Sequence, residues 1–464
     1  MVYHNPLGEE KISKLLIKFS IPAIVGMLVS ALYNIVDRIY IGNAPELGAN
    51  GLAGITIGFP LMLIMLAVGV LFGVGGATLF SIRLGQKREV DAEKVLGNAF
   101  VLLVGSGIIY MILGQIFLVP LLQLFGASPT VLPFSIEYMR VIFFGSTFQI
   151  VSMGLNHFIR ADGSPKIAMM TMFIGAGINI VLDPIFIFGL NMGMMGAALA
   201  TIIAQGVSAI WVVLHFLGKH SKAKLQVKNL ILDSAIVKKV VSLGLPGFLL
   251  QLASSLLNTL LNRNLYIYGG DIAVSGMGVI NSIQTLMLMP IIGLNQGVQP
   301  IISFNFGAKK FDRVKEAIKL AITVATSIVV VGFIITRLFP ELLVSMFNRD
   351  AELLVFGTMA ISSWFMMLPV VGFQIIAANF FQAIGRSKSA MFLTLTRQII
   401  FLIPAVIFFP QFWGVEGLLY AAPFADLLAA ILTGYFFINI LKDLTHLSIQ
   451  HKENEFAAES LLEI

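Results

Sequence analysis

Cysteine is absent from all 464 residues, which excludes disulfides and thiolate chemistry. Charge is scarce too: Asp, Glu, Lys and Arg make up 12% of the chain, against roughly 25% in soluble domains. The six histidines are scattered. His4, His215, His220, His446 and His451 sit at termini or interfaces, His157 ends an apolar run, and none is spaced as a metal site. No polar stretch is long enough for a soluble domain, so energy from a bound nucleotide is not expected. The Gly-rich run GVGGA (Gly73–Ala77) lies inside an apolar segment, which reads as close helix packing and not as a phosphate cradle.

Apolar sequence fills the space that these absences leave. Hydrophobic residues are 58% of the chain and mean hydropathy is +0.92. A helical crossing of hydrocarbon takes about 20 apolar residues. Twelve such runs lie near 14–41, 52–82, 95–119, 133–158, 166–189, 194–218, 240–268, 272–303, 316–338, 354–383, 389–410 and 415–441. They are continuous, without the alternation of lipid-facing strands, so a β-barrel is excluded. The first run lacks a small-residue cleavage site and reads as a span, not a signal peptide. The expected class is an all-α integral membrane protein with twelve transmembrane helices.

Basic residues predict the orientation. Of 30 Lys and Arg, 24 lie in the N-terminal segment, the even-to-odd connections and the C-terminal tail. Only Arg337 and Arg349 lie in the other connections, and Arg38, Arg140, Arg263 and Arg397 fall within spans. The positive-inside rule then puts both termini in the cytoplasm, in a cell membrane. The +6 net charge is explained by topology and calls for no nucleic-acid partner.

The second half repeats the first. HFIRADGSPKIAMM (His157–Met170) returns as NFFQAIGRSKSAMF (Asn379–Phe392), 222 positions later. RLGQKREVDAEKV (Arg83–Val95) is answered by NFGAKKFDRVKEA (Asn305–Ala317), and Gly193 and Gly196 by Gly414 and Gly417. Each half has six spans, so both enter the membrane the same way round. The expectation is two six-helix lobes, 1–218 and 240–441, related by a pseudo-twofold axis along the membrane normal. A cytoplasmic linker (219–239) joins them and a charged tail (442–464) follows. Duplicated apolar halves are a common build of secondary transporters, with the pathway between them.

An acid inside a span needs a reason, because burying charge in a bilayer is costly. There are four: Asp37, Glu137, Asp183 and Asp426. Glu137, near the start of span four, reads as structural, and Asp426 as a helix–helix hydrogen bond at least as readily as a functional group. Asp37 and Asp183 differ, since both lie roughly 6–9 Å below the outer ends of spans one and five. Asn179 shares a helical face with Asp183, and Tyr33 and Asn34 share one with Asp37. Pro184 removes a backbone donor and leaves a carbonyl near that site. The second half has no equivalent acids: Leu260–Leu261 stand opposite Asp37, and Leu402–Ala405 opposite Asp183.

These residues resemble the multidrug and toxic compound extrusion (MATE) family, most of all its MepA-like branch. The resemblance rests on Pro22 and Asp37 in span one, IRADGSPK (Ile159–Lys166), Asn179-x-x-x-Asp183-Pro184, the six-plus-six duplication, and the GxxG openings of spans six and twelve. It implies a cation-driven antiporter whose lobes form a V, with the span-one aspartate binding the coupling ion and Asn179 and Asp183 completing the site. Tyr138 and Thr201 occupy matching positions in that hydrogen-bond network, and Pro22 matches the residue about which span one bends. Spans seven and ten lack the acids of the branch that binds Na⁺ in the second lobe. Coupling through the first lobe is therefore expected, by H⁺ in preference to Na⁺, with no other cofactor and no metal centre.

Most of the 37 Phe and 21 Met are expected to face lipid or to pack between helices. Met153, Met169, Met172 and Phe173, with Tyr33, Asn34, Asn156 and Gln205, are the candidates for a substrate cavity, since thioethers and rings adapt to varied ligands. The expected function is multidrug export: exchange of a proton, or of Na⁺, for amphiphilic and often cationic compounds by alternating access. The expected partners are those drugs or toxic cations and membrane lipid, and the expected assembly is a monomer. The alternative is a lipid-linked oligosaccharide flippase on a related fold, for which several cations in the cavity would be needed; only four arginines fall within spans. An enzyme is not expected, since the spans hold neither a His-rich metal cluster nor a nucleophile–base pair.

Overall fold

The computed structural model describes residues 6–44, 47–218, 221–347 and 350–462, of which the side chains of Ala49 and of 455–462 are not described. His4, Lys219, His220 and Arg349 lie outside these ranges. Among the described residues the chain is helical throughout, with no strand. The spans are α1 (Ile12–Asn43), α2 (Gly48–Gly85), α3 (Glu89–Ile116), α4 (Leu132–Ala161), α5 (Pro165–Pro184) and α6 (Gly193–Leu217). A continuous helical stretch, Ser234–Gly307, supplies α7 (234–269) and α8 (271–307), parted by the non-helical Gly270. Then come α9 (Phe311–Leu338) and α10, made of Ala351–Trp364 and Leu368–Ala383 with a 50° bend between them. Two further spans complete the set: α11 (Ser387–Leu395, a π-turn over Thr396–Leu402, then 403–413) and α12 (415–462).

Eight helices are each long and apolar enough to cross a membrane, and the bent α10 makes a ninth. Two of the eight run for 74 and 68 residues. At 1.5 Å per residue each exceeds about 100 Å, against a hydrocarbon core of about 30 Å. Each therefore holds two spans. The remaining span is α4, 30 residues long, in which Glu137, Arg140, His157 and Arg160 dilute the apolar character. The twelve-helix membrane fold expected from the apolar runs is the fold found.

The duplication is written into the backbone. Positive φ angles recur at Gly48 and Gly270, Lys87 and Lys309, Gly163 and Gly385, and Gly193 and Gly414. At Gly270 (φ 65, ψ −163) and Gly414 (φ 56, ψ −139) the conformation is one that only glycine adopts without strain, and there the helix breaks.

Two compact units form. One gathers Met1–Ile24, Leu84–Lys87 and Ala253–Ile464; the other gathers Val25–Arg83 and Arg88–Leu252. The first change of unit thus falls within α1, two residues past Pro22. Inside the second unit, small residues let backbones touch. Gly75 on α2 lies against the Val240 carbonyl of α7, and Gly244 against that of Leu71, so a Cβ at either position would overlap backbone. This is the packing expected of GVGGA, and its driving force in lipid is close contact, not exclusion of water.

Candidate functional site

Within the unit Val25–Arg83 and Arg88–Leu252, four helices converge on one buried polar cluster. From α1 comes Asp37, and from α5 come Asn179 and Asp183, one helical turn apart and therefore on one face. Thr201 projects from α6 and Tyr138 from α4. All five are buried, Asp183 completely. Asn179 Nδ2 donates to Asp183 Oδ1 at 3.3 Å and to Thr201 Oγ1 at 3.3 Å. Thr201 in turn donates to the Ala197 carbonyl at 3.1 Å, and Tyr138 lies beside it. The carboxyls of Asp37 and Asp183 face one another within hydrogen-bonding reach. A hydrogen bond between two carboxyl groups requires a proton on one of them.

Three acceptor oxygens in this cluster, Asp37 Oδ1, Asp183 Oδ2 and Asn179 Oδ1, are buried without a protein partner. Such acceptors are costly to leave unmade. Two carboxylates and an amide oxygen suit either a proton on the acid pair or a small hard cation ligated by oxygen. Among the described residues no Lys or Arg forms an ion pair with Asp37 or Asp183. Past Asp183 the helix changes winding: Pro184 lacks the N–H for the preceding turn, and Ile185–Gly189 form a π-turn. π-turns recur at functional sites.

The other candidates divide. Tyr33 lies within electrostatic reach of both carboxyls, whereas Asn34 is exposed and donates back to Ser30 of its own helix at 2.7 Å. Gln205 Nε2 donates to Gln149 Oε1 at 2.6 Å, and its own Oε1 is buried without a partner. Asn156 spends its amide on the Ala168 carbonyl at 2.8 Å, clamping α4 to α5. Met153 packs over Gly69 and Met172 over Gly26, Met169 is half-buried, and Phe173 is exposed.

Glu137 is explained. Its Oε1 accepts from the Met195 N–H at 2.9 Å, capping the start of α6. Two further acids have partners that the sequence did not identify. Asp162, inside IRADGSPK, accepts from His215 Nε2 at 3.1 Å and from the Lys222 N–H at 3.1 Å, so the motif ties the end of α4 to α6 and to the linker. Asp426 accepts from Arg397 Nε at 2.6 Å; the helix–helix bond was anticipated, the identity of its partner was not.

A twelve-span helical fold built from two repeated halves is the build of a membrane transporter. The sequence pattern of the MatE family matches residues 22–185 and again 246–407, once in each half. The chain belongs to that family. It is 27% identical over 437 residues to the multidrug export protein MepA of Staphylococcus haemolyticus, covering 94% of this chain and 96% of that one. It also resembles the solved structure of the MATE multidrug transporter DinF-BH in complex with a small molecule, with a TM-score of 0.87 at 39% identity over 93% of this chain and 96% of that one. A MATE structure in a bent conformation superposes with a TM-score of 0.89 at 25% identity, covering 96% and 98% of the two chains.

Proposed function

We propose that this protein is a multidrug efflux antiporter, exporting amphiphilic and often cationic compounds in exchange for H⁺. Family membership and the multidrug export performed by its relatives support the transport class. A relative solved with a small molecule bound supports small-molecule cargo. The observation that carries the exchange is the facing of Asp37 and Asp183, each with one oxygen that, like that of Asn179, has no hydrogen-bond donor. Burial and like-charge repulsion let this pair hold one proton between its members, titrating as a unit. Proton and organic cation then compete for the same negative charge, the minimum that obligatory exchange requires. Na⁺ is the second reading, favoured by the same oxygens.

Alternating access of two six-span lobes, with both termini in the cytoplasm, completes the reading. Pro22 and Pro184 are its hinge candidates, each lying in a helix that carries a site carboxylate. Dye efflux from proteoliposomes tests it: an imposed pH gradient should drive efflux, and an imposed Na⁺ gradient at constant pH should not. Efflux under Na⁺ alone would replace the proton reading; efflux under neither would end the exchange reading.

A further inference from the structure

A buried acid that the exchange does not use lies in the other unit. Asp426 on α12 is almost fully enclosed, and its Oδ1 is held by Arg397 Nε at 2.6 Å. Arg397 is the second residue of the π-turn of α11. Neighbouring residues there reach different helices: Arg397 binds α12, while Gln398 donates to Ser254 Oγ of α7 at 3.4 Å. Close to the ion pair, Gln284 accepts from Trp364 Nε1 at 3.0 Å. These two, with Leu288, Phe365, Leu368, Val371 and Ala422, complete the lining of a cavity of about 20 Å³, room for about one water or one small ion. No lining residue besides the pair itself titrates, and Arg397 is the sole charged group acting on Asp426 among the described residues.

A carboxylate within a transmembrane bundle has three ways to remain there: protonated, bound to a free cation, or bound to a tethered one. Arg397 is a tethered cation. Its covalent attachment keeps it beside Asp426, so that a dissolved ion must displace it to bind there. The first half is built oppositely. The repeat spacing puts Gly175 opposite Arg397 and Gln205 opposite Asp426. A side chain at Gly175 would meet Ser208 Oγ at 3.0 Å, and Gln205 is bound to the neutral Gln149. Arg38 acts on Asp37 through its field and forms no ion pair with it. One half therefore holds acids without an ion-pair partner; the other holds an acid already filled.

We propose that Asp426 is a second monovalent-cation site, occupied in this protein by the guanidinium of Arg397, and that Arg397 thereby confines ion coupling to the Asp37–Asp183 site. The occupancy stands on the second-half geometry alone. The confinement rests on the coupling reading above.

The test uses the purified full-length protein carrying Asp37→Asn and Asp183→Asn, which silences the first site. Thermal unfolding is followed against NaCl, with choline chloride as the ionic-strength control, and separately against pH. The parent should respond to neither Na⁺ nor protons through Asp426. Adding Arg397→Gln should create a saturable Na⁺- or proton-dependent rise in Tm, and adding Asp426→Asn to that protein should abolish it. Binding of radioactive Na⁺ separates metal ion from proton. A folded Arg397→Gln protein that responds to neither ion, or a response that survives Asp426→Asn, overturns the proposal. If Arg397→Gln does not fold, the parent still decides: an ion response in it that Asp426→Asn removes would show that Arg397 does not fill the site. Loss of coupling in Asp37→Asn alone bears only on the first site, so the two failures are distinguishable.

Discussion

Asp37 of α1 and Asp183 of α5 meet carboxyl to carboxyl, with Asn179 binding Asp183 from one helical turn away. The pair is enclosed within one unit and has no basic ion-pair partner among the described residues. Glu137 and Asp426 differ, each having one carboxylate oxygen engaged by a donor of a neighbouring helix.

Removing the amide that positions Asp183 should weaken coupling without removing charge. Asn179→Ala breaks two hydrogen bonds, to Asp183 and to Thr201, each worth about 1 kcal/mol or somewhat more because one acceptor is an acid. Dye efflux driven by a pH gradient should fall several-fold, while Asn179→Asp should not restore it, since a third acid adds repulsion. Wild-type efflux in Asn179→Ala would remove that residue from the site.

Glu137 is predicted to matter for stability and not for exchange. Glu137→Gln keeps an acceptor for the Met195 N–H, so efflux and Tm should both be retained. Glu137→Ala should lower stability by about 1 kcal/mol, the usual worth of a helix cap. A Glu137→Gln protein that folds but exports no dye would return this residue to the list of coupling acids.

Close helix packing gives a clean stability contrast. Gly75→Val forces a side chain into the Val240 carbonyl and should be strongly destabilising, beyond the ~1–3 kcal/mol of ordinary overpacking. Gly105→Ala, with nothing within 4 Å of the added carbon, should leave the unfolding midpoint unchanged or slightly higher. Equal Tm values for the two variants in detergent would contradict the packing described for α2.

Topology is open to direct labelling. Single cysteines introduced near Gln86, Ser164, Ala223 and Ala308 are predicted to react from the cytoplasm alone, and those near Ala44, Ala127 and Gly270 from outside alone. The absence of native cysteine makes each label unambiguous. Outside labelling at Ala223 would reverse the orientation inferred from the basic residues.

Much of this architecture was readable because membrane solvent imposes a simple rule. Every span must be long and apolar, so runs such as 52–82 and 316–338 coincide with α2 and α9 to within a few residues. The repeat was visible for the same reason that the backbone repeats it: Gly193 and Gly414 must both turn where only glycine turns easily. Asn179 and Asp183 were legible as neighbours because a regular helix fixes i and i+4 on one face. Tyr138 and Thr201 were not, since their distance from Asp183 depends on how α4 and α6 pack, and only family resemblance pointed to them. Arg397 was missed as the partner of Asp426 for a related reason. It lies in a π-turn, which breaks the 3.6-residue register that sequence reasoning assumes.

The central claim is that proton and substrate compete for the Asp37–Asp183 pair, and dye affinity as a function of pH tests it most directly. In the wild-type protein, binding of a cationic dye should weaken as pH falls from about 8.5 to about 5.5, by at most about tenfold per unit for one competing proton. Asp37→Asn should flatten that profile and abolish efflux, because position 37 is then fixed in a protonated-like state. Asp183→Asn should act in the same direction but more mildly, with Asp37 still able to titrate alone. An Asp37→Asn protein that keeps both efflux and the wild-type pH profile would contradict the account and place the coupling site elsewhere.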